Sequence, residues 1–452
     1  MDKKIAIENN IKKLYFLSRD TKVAYDCFNI LYPDVNIESH YIYSSRRSVS
    51  IPLFKSKKDL LVEVYKTIYS TTISAWLENR FGITKDQYSV ETLQKYSLKD
   101  YDHPIGGKFS KEKLSQLVCE LSDIILKNAR QERMNLIDYL SSHGMDTNEN
   151  IAVVDIGYAA SMQSAYQKIL NKENIHGIYY ATFNSALKNI SDSSLLHGYS
   201  VHLENPSSPK YGICSHRFFY ETIFCDADNS FIKPIKTNNG FEIVKSRFDD
   251  STRQTVVKEI HSGVLALAHD LAENYSSSVL NGYIDPSLGS FLFDSFLKTP
   301  NKNDAEMFKG VLFEDAMGPS IKRYLFVPDE LKNDKKVIDN MIWKEAASLL
   351  LSYSSVSTNS TKSNNITINS DDNKKTNNTL RANKNLNGNG NGNGNGNGNG
   401  KINLISIERT IFNFLLNGRK LNKYIKDRDL FFKDSRNRFI SLYYNKIGKN
   451  YK

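Results

Sequence analysis

The stretch "IAVVDIGYAASMQSAYQKIL", residues 151–170, decides the fold. Four apolar residues run up to Asp155, and Gly157, two alanines and Ser161 then form a tight turn. The residues from 161 to 171 read as a helix. A strand, a turn and a helix in that order put Asp155 and the turn at the C-terminal edge of a sheet. Phosphates and sugars bind at such edges, and ordinary strand-to-helix connections occur there too.

Outward from this segment, strand and helix signals alternate. "KLYFLS" (13–18) and "SHYIYSS" (39–45) read as strands, with "TKVAYDCFNILY" (21–32) as a helix between them. Residues 57–145 are helical in pattern, and "IHGIYYATF" (175–183) is a further strand. This alternation predicts an α/β fold: a parallel sheet with flanking helices, a large helical insertion at about 57–145 and a helical C-terminal tail. Residues 1–235 are expected to form the α/β domain. Residues 236–355 are expected to be a mainly helical extension, with amphipathic helices at 249–275 and 333–353.

Residues 356–400 are rich in Asn, Ser, Thr and Lys and end in a strict Asn-Gly alternation. Such a segment has little to bury against its ordering entropy, so a disordered linker is expected. The tail, 401–452, places Ile405, Phe412, Leu415, Leu416, Leu421, Ile425, Phe432, Phe439 and Tyr443 among interleaved basic residues. Two readings stay open for it. One is a basic amphipathic segment on an anionic membrane surface. The other is a helical hairpin docked on the body or on a partner.

The charge is uneven. Of the net +10, +9 lies in residues 401–452 and +3 in 356–400, which leaves residues 1–355 at about −2. A near-neutral body argues against nucleic acid as the partner, because a nucleic-acid-binding fold carries its positive charge on the fold itself. The four cysteines, Cys27, Cys119, Cys214 and Cys225, have no CxxC or metal-type spacing. The chain shows no apolar run of the roughly 20 residues needed to cross a bilayer. The N-terminus has no signal-peptide layout, so a reduced, cytoplasmic protein is expected.

Three strand ends carry the candidate chemistry. After "YFL" come Ser18, Arg19, Asp20 and Thr21; after "YIY" come Ser44, Ser45, Arg46, Arg47 and Ser48; the third is the turn after Asp155. Arginine offers bidentate, permanently charged donors to phosphate oxygens. Together these ends suit a diphosphate near Arg19 and Arg46 or Arg47, and a phosphomonoester in the 156–161 turn. Asp155 would then contact sugar hydroxyls or a metal. Each piece taken alone also fits a surface turn or a solvated loop.

As a set, "LYFLSRD" (14–20), "HYIYSSRRS" (40–48), "VVDIGYAASMQ" (153–163) and "FFYETIF" (218–224) resemble a known family. It is the phosphoribosyltransferase-like glycosyltransferase domain that follows haloacid-dehalogenase-like modules in bacterial surface-polysaccharide proteins. The resemblance covers roughly residues 10 to 230, with Thr21 and Ala160 standing where the family pattern has glycine. It implies a type I phosphoribosyltransferase-like fold that transfers phosphoribose from phosphoribosyl diphosphate to a lipid-linked glycan acceptor. A separate phosphatase partner would remove the 5-phosphate, in capsule or O-antigen assembly at the inner face of the plasma membrane. It further implies Ser18, Arg19 and Thr21, with Arg46 and Arg47, on the diphosphate. Gly157, Ala160, Ser161 and Gln163 would hold ribose 5-phosphate. Mg²⁺ would be held by Asp20 and Asp155, and Asp20, or alternatively Glu221, would take the acceptor proton.

Two rivals are set against this. A haloacid-dehalogenase-like phosphatase needs a strand ending in Asp-x-Asp, yet Gly157 stands two residues after Asp155 and Lys22 two after Asp20. The other is a non-catalytic phosphosugar-binding scaffold, favoured if Asp20 and Asp155 do not share a cleft with Arg19 and Arg46. His197, His216 and Cys214 read as structural or solvated residues.

Overall fold

The computed structural model describes residues 2–68, 70–208, 211–246, 250–275, 293–313 and 323–349. The chain opens with helix α1 (Asp2–Glu8), strand β1 (Lys13–Leu17), helix α2 (Lys22–Leu31), strand β2 (Glu38–Ile42) and the short helix α3 (Arg46–Ser50). The insertion follows, with α4 (Lys57–Val64), the two-residue strand β3 (Thr71–Thr72), α5 (Ile73–Phe81), α6 (Val90–Gln94), β4 (Pro104–Ile105), α7 (Lys111–Glu120) and α8 (Ser122–Ser142). The chain then returns to the sheet through β5 (Ile151–Asp155), α9 (Ser161–Leu170), β6 (Ile175–Phe183) and β7 (Leu196–Glu204). Helix α10 (Gly212–Phe224), a hairpin of β8 (Phe231–Thr237) and β9 (Gly240–Lys245), and α11 (Ser251–Asn274) complete the part that shapes the site.

The protein is α/β. Five parallel strands stand in the order β2-β1-β5-β6-β7, flanked by helices on both faces. The three central strands, β1, β5 and β6, are largely apolar because neither face meets water. Tyr15, Leu17, Ile151 and Val153 point to one face and pack on Leu136 and Leu140 of α8 and Tyr166 and Ile169 of α9. Leu14, Phe16, Ala152 and Val154 point to the other and meet Ala6 of α1 and Phe28 of α2. The period of two along each strand assigns these faces.

The sequential order 2-1-3-4-5 reverses direction between β1 and β5. In open parallel sheets a crevice forms at that switch point, beyond the carboxyl ends of the strands. Leu17 pairs with Ile42 and Phe16 with Val154, so Ser18, Tyr43 and Ile156 stand at one level at the rim of this crevice.

The insertion is helical apart from the small β3–β4 ladder, and it has its own core around Trp76, Leu77, Phe81, Leu114, Leu117 and Ile125. The chain downstream departs further from expectation. The boundary expected at residue 235 falls inside β8, and the β8–β9 hairpin packs on α8. In that contact Lys233 stands 3.3 Å from Glu132, and Asn135 donates to the carbonyl of Pro234 at 3.3 Å.

The helix expected over 333–353 is instead Lys335–Asp339 and a second helical run at 344–349; residues 350–353 lie outside the described residues. Trp343 sits between the two, fully buried, and its indole N–H donates to the carbonyl of Leu297 at 2.7 Å. Burying that ring against Phe219 and Phe308 favours breaking the helix there. This cluster also covers Ala181, Phe183 and Val201 of the β6–β7 end of the sheet. The expected linker at 356–400 and the tail at 401–452 lie outside the described residues. No helix among the described residues is long and apolar enough to cross a membrane.

Candidate functional site

The ends of β1 and β2 are tied together by serine. The Ser18 hydroxyl donates to the carbonyl of Ser44 at 3.0 Å and accepts from its N–H at 2.8 Å. The Ser44 hydroxyl meets the Tyr166 phenol of α9 at 2.6 Å. Ser45 then caps α3, accepting from the Ser48 N–H at 3.0 Å while the Ser48 hydroxyl receives the Ser45 N–H. The expected basic loop at 44–48 is thus a capped helical turn, because Ser-x-x-Ser closes a reciprocal cap.

That turn separates the two arginines. Consecutive helical residues point about 100° apart, so Arg46 and Arg47 cannot share a direction. Arg46 is exposed and lines the cleft. Arg47 is buried, and its two Nη atoms pair with both oxygens of Glu132 at 2.6 and 3.0 Å. The expectation that Arg47 binds substrate is corrected: its guanidinium anchors α3 to α8.

The cleft beyond β1 and β2 is lined by Ser18, Arg19, Asp20, Arg46 and Glu221, together with Arg253 from α11. Arg253 is 2% exposed and donates to the carbonyls of Cys225 and Asp226 at 3.2 and 2.7 Å. Arg19 donates to the carbonyl of Asp228 at 2.9 Å, and its own carbonyl accepts the Asp226 N–H at 3.1 Å. Two guanidiniums therefore hold the 225–228 turn at the cleft wall. Sequence reasoning missed Arg253, which carries no local motif and reaches the site only through the packing of α11 against α10 and α2.

A second chamber adjoins the first, lined by Asp20, Thr21, Ala24, Val154, Asp155, Ile156, Ile178, Tyr179, Tyr180, Tyr199 and Phe224. Asp20 stands in the wall common to both. Asp20 faces one cleft with Arg19 and Arg46, whereas Asp155 lines only the adjoining chamber, so the condition set for the transferase is met by Asp20 and not by Asp155. Burial is the main cause that pushes the Asp155 carboxyl from 3.8 up to about 7, and the negative charge of Asp20 adds to it. The Ile156 N–H, 2.8 Å from Asp155 Oδ1, and the charge of Arg46 pull the other way, while Glu221 adds a further small rise.

The remaining expected residues divide. Thr21 donates to the carbonyl of Leu17 at 2.7 Å and, with φ at −115°, needs no glycine. Gly157 does need to be glycine, since φ is +146° and a Cβ would stand 2.3 Å from the carbonyl oxygen of Ala181. Ser161 is exposed at the first position of α9. Gln163 is fully buried, donating to the carbonyls of Ile175 and Leu195 at 2.8 and 3.1 Å and accepting from the Tyr179 phenol at 2.8 Å. It locks α9 onto β6, which corrects the expectation that it touches ribose phosphate. His197 lies 3.1 Å from His176, and His216 lies 3.0 Å from Glu345.

Ala160 adopts φ 55° and ψ 27° at the entry to α9 and is 2% exposed. Left-handed backbone costs an L-residue about 1–2 kcal/mol, and burying one methyl returns about 0.8 kcal/mol. Ala160→Gly is therefore expected to stay within about 1 kcal/mol of the parent, while the branched Ala160→Val loses about 2–3 kcal/mol. Urea unfolding of the two variants checks this; equal losses would mean that the backbone at 160 is not held left-handed.

Among the described residues no group of three or more His, Cys, Asp or Glu side chains converges as a metal site. No family model matches the chain, and no curated protein matches it.

Proposed function

We propose that the protein is a glycosyltransferase that moves phosphoribose from phosphoribosyl diphosphate to a surface-polysaccharide acceptor. One observation carries the reading: Arg19, Arg46 and Arg253 converge with Asp20 and Glu221 at the switch point of a parallel sheet. In the reaction an acceptor hydroxyl oxygen bonds to C1 of the ribose. The C1–O bond to diphosphate breaks, and its electron pair leaves with the diphosphate. The acceptor proton passes to Asp20. Charge builds on the departing diphosphate, so the arginines act by stabilising that charge in place.

Mg²⁺ fits the donors present. Asp155 and one oxygen of Asp20 would hold it, and Mg²⁺ at phosphate sites takes one or two carboxylates, with substrate phosphates and water filling the rest. Burial is the main cause that lifts the Asp155 carboxyl, and the smaller part due to the Asp20 charge is the kind a divalent cation relieves. When bound, the ion neutralises diphosphate charge. The turn at 156–161 receives the ribose 5-phosphate, with Asp155 beside the ribose hydroxyls. A separate phosphatase then acts on the product. The reading places the protein in the cytoplasm, on the inner face of the membrane, with residues 401–452 on anionic lipid; flotation of the full chain with anionic vesicles tests that placement.

The experiment on activity combines the protein, Mg²⁺, phosphoribosyl diphosphate and a panel of lipid-linked glycans, and follows acceptor-dependent diphosphate release. Arg46→Ala is expected to lose about 10²-fold in release, with stability within about 0.5 kcal/mol of the parent because the side chain is exposed. Diphosphate binding with no release from any acceptor would replace the transferase with the non-catalytic phosphosugar-binding scaffold.

A further inference from the structure

We propose that the aromatic chamber beside the cleft is the acceptor subsite, and that it takes a neutral, polyhydroxylated sugar ring. The word "acceptor" rests on the transferase reading; the affinity for a sugar does not. Three rings from three elements meet here. The Tyr180 centroid stands 5.4 Å from Phe224 and 6.4 Å from Tyr199, so β6, β7 and the end of α10 build one aromatic wall.

The charge of the chamber sorts the ligand. The described residues lining it include no Lys, Arg or His, whereas two acidic side chains, Asp20 and Asp155, line it. The three arginines line the adjoining cleft and are not among the residues that line this chamber, so an anion finds no cationic side chain on its wall. A neutral ring needs none. Its C–H face covers the apolar rings, and its hydroxyls donate to the carboxyl oxygens of Asp20 and Asp155.

The wall shared by the two chambers then fixes which hydroxyl reacts. Asp20 lines both, so a sugar seated on Tyr180, Tyr199 and Phe224 presents to Asp20 the hydroxyl nearest the diphosphate cleft. One carboxylate thus serves the leaving-group side and the acceptor side at once, which a single undivided pocket would not require.

The test separates the chambers. Saturation-transfer NMR of the full chain with methyl hexopyranosides and methyl ribofuranoside reads the aromatic chamber, with adenosine as the competing flat ligand. The shift in Tm on adding Mg²⁺ and inorganic diphosphate reads the basic cleft. Tyr199→Ala, and Tyr199→Leu as the bulkier variant, are expected to weaken glycoside binding about tenfold and to leave the diphosphate shift unchanged. Arg46→Ala is expected to do the reverse. Glycoside signals that persist in both Tyr199 variants and in Phe224→Ala would overturn the assignment. So would no glycoside signal at all, or a signal from adenosine alone. Glycosides that bind while diphosphate gives no shift would sink the transferase reading and leave the sugar subsite standing.

Discussion

A Glu132→Ala variant is expected to lose about 3–5 kcal/mol of folding stability, because it leaves the Arg47 guanidinium buried without its counter-ion. Both side chains are nearly inaccessible, at 7% and 5%, so water does not step in to solvate the orphan. The bidentate geometry also fixes the direction of α3, and α3 carries Arg46 to the cleft. Loss of the pair should therefore weaken diphosphate binding through displacement of Arg46, although Glu132, paired with Arg47 and Lys233, does not itself line the cleft. Lys233, the third member at 3.3 Å, is half-exposed and returns to water. An Arg47→Met/Glu132→Leu double variant removes both charges and should recover most of the stability, since apolar replacements of a buried pair are often neutral or better. Guanidinium unfolding of the single and double variants measures this. A single-variant loss below about 1 kcal/mol would mean that the pair is solvated and does not anchor α3.

How much of this was legible from residue order depended on what each feature required. Four of the five sheet strands were legible, the clearest because strands buried on both faces are apolar along their length, as in "IAVVD" and "KLYFL"; the fifth, β7, was not, since its pattern is mixed and polar. The β8–β9 hairpin was not. Lys233 and Lys236 break up its apolar pattern, Pro234 interrupts the donors of the first strand, and the alternation is too polar to stand out. Arg19, Asp20 and Asp155 were legible because a polar residue directly after an apolar strand has little choice but the sheet edge. The fate of the Arg46-Arg47 pair turned on a helical cap, which rotated the second arginine into the core. Arg253, Tyr180, Tyr199 and Phe224 each look locally like an ordinary helix or core residue. Only tertiary packing assembles them, and no local spacing encodes that.

Asp155→Asn is expected to make the protein more stable and inactive. The folded carboxyl titrates near 7 against 3.8 for the free group, so the folded state holds its proton more tightly than the unfolded chain. Stability is then fully present below about pH 4, falls as pH rises to about 7, and is flat above that. At about pH 8 the wild type carries a buried, repelled charge that the asparagine lacks, while the amide oxygen still accepts the Ile156 N–H. The full shift corresponds to about 4 kcal/mol, and partial exposure and water screening bring the expected gain to about 1–3 kcal/mol. The gain should vanish toward pH 4, where the wild-type carboxyl is itself neutral. On the transferase reading, acceptor-dependent diphosphate release should fall by about 10²-fold or more, because the charge that destabilises the fold would be the one that holds Mg²⁺ and the ribose. Opposite signs for stability and turnover distinguish a carboxylate retained for chemistry from one that merely caps its own strand. A variant that is less stable at about pH 8 and releases diphosphate at the wild-type rate would assign Asp155 to the cap.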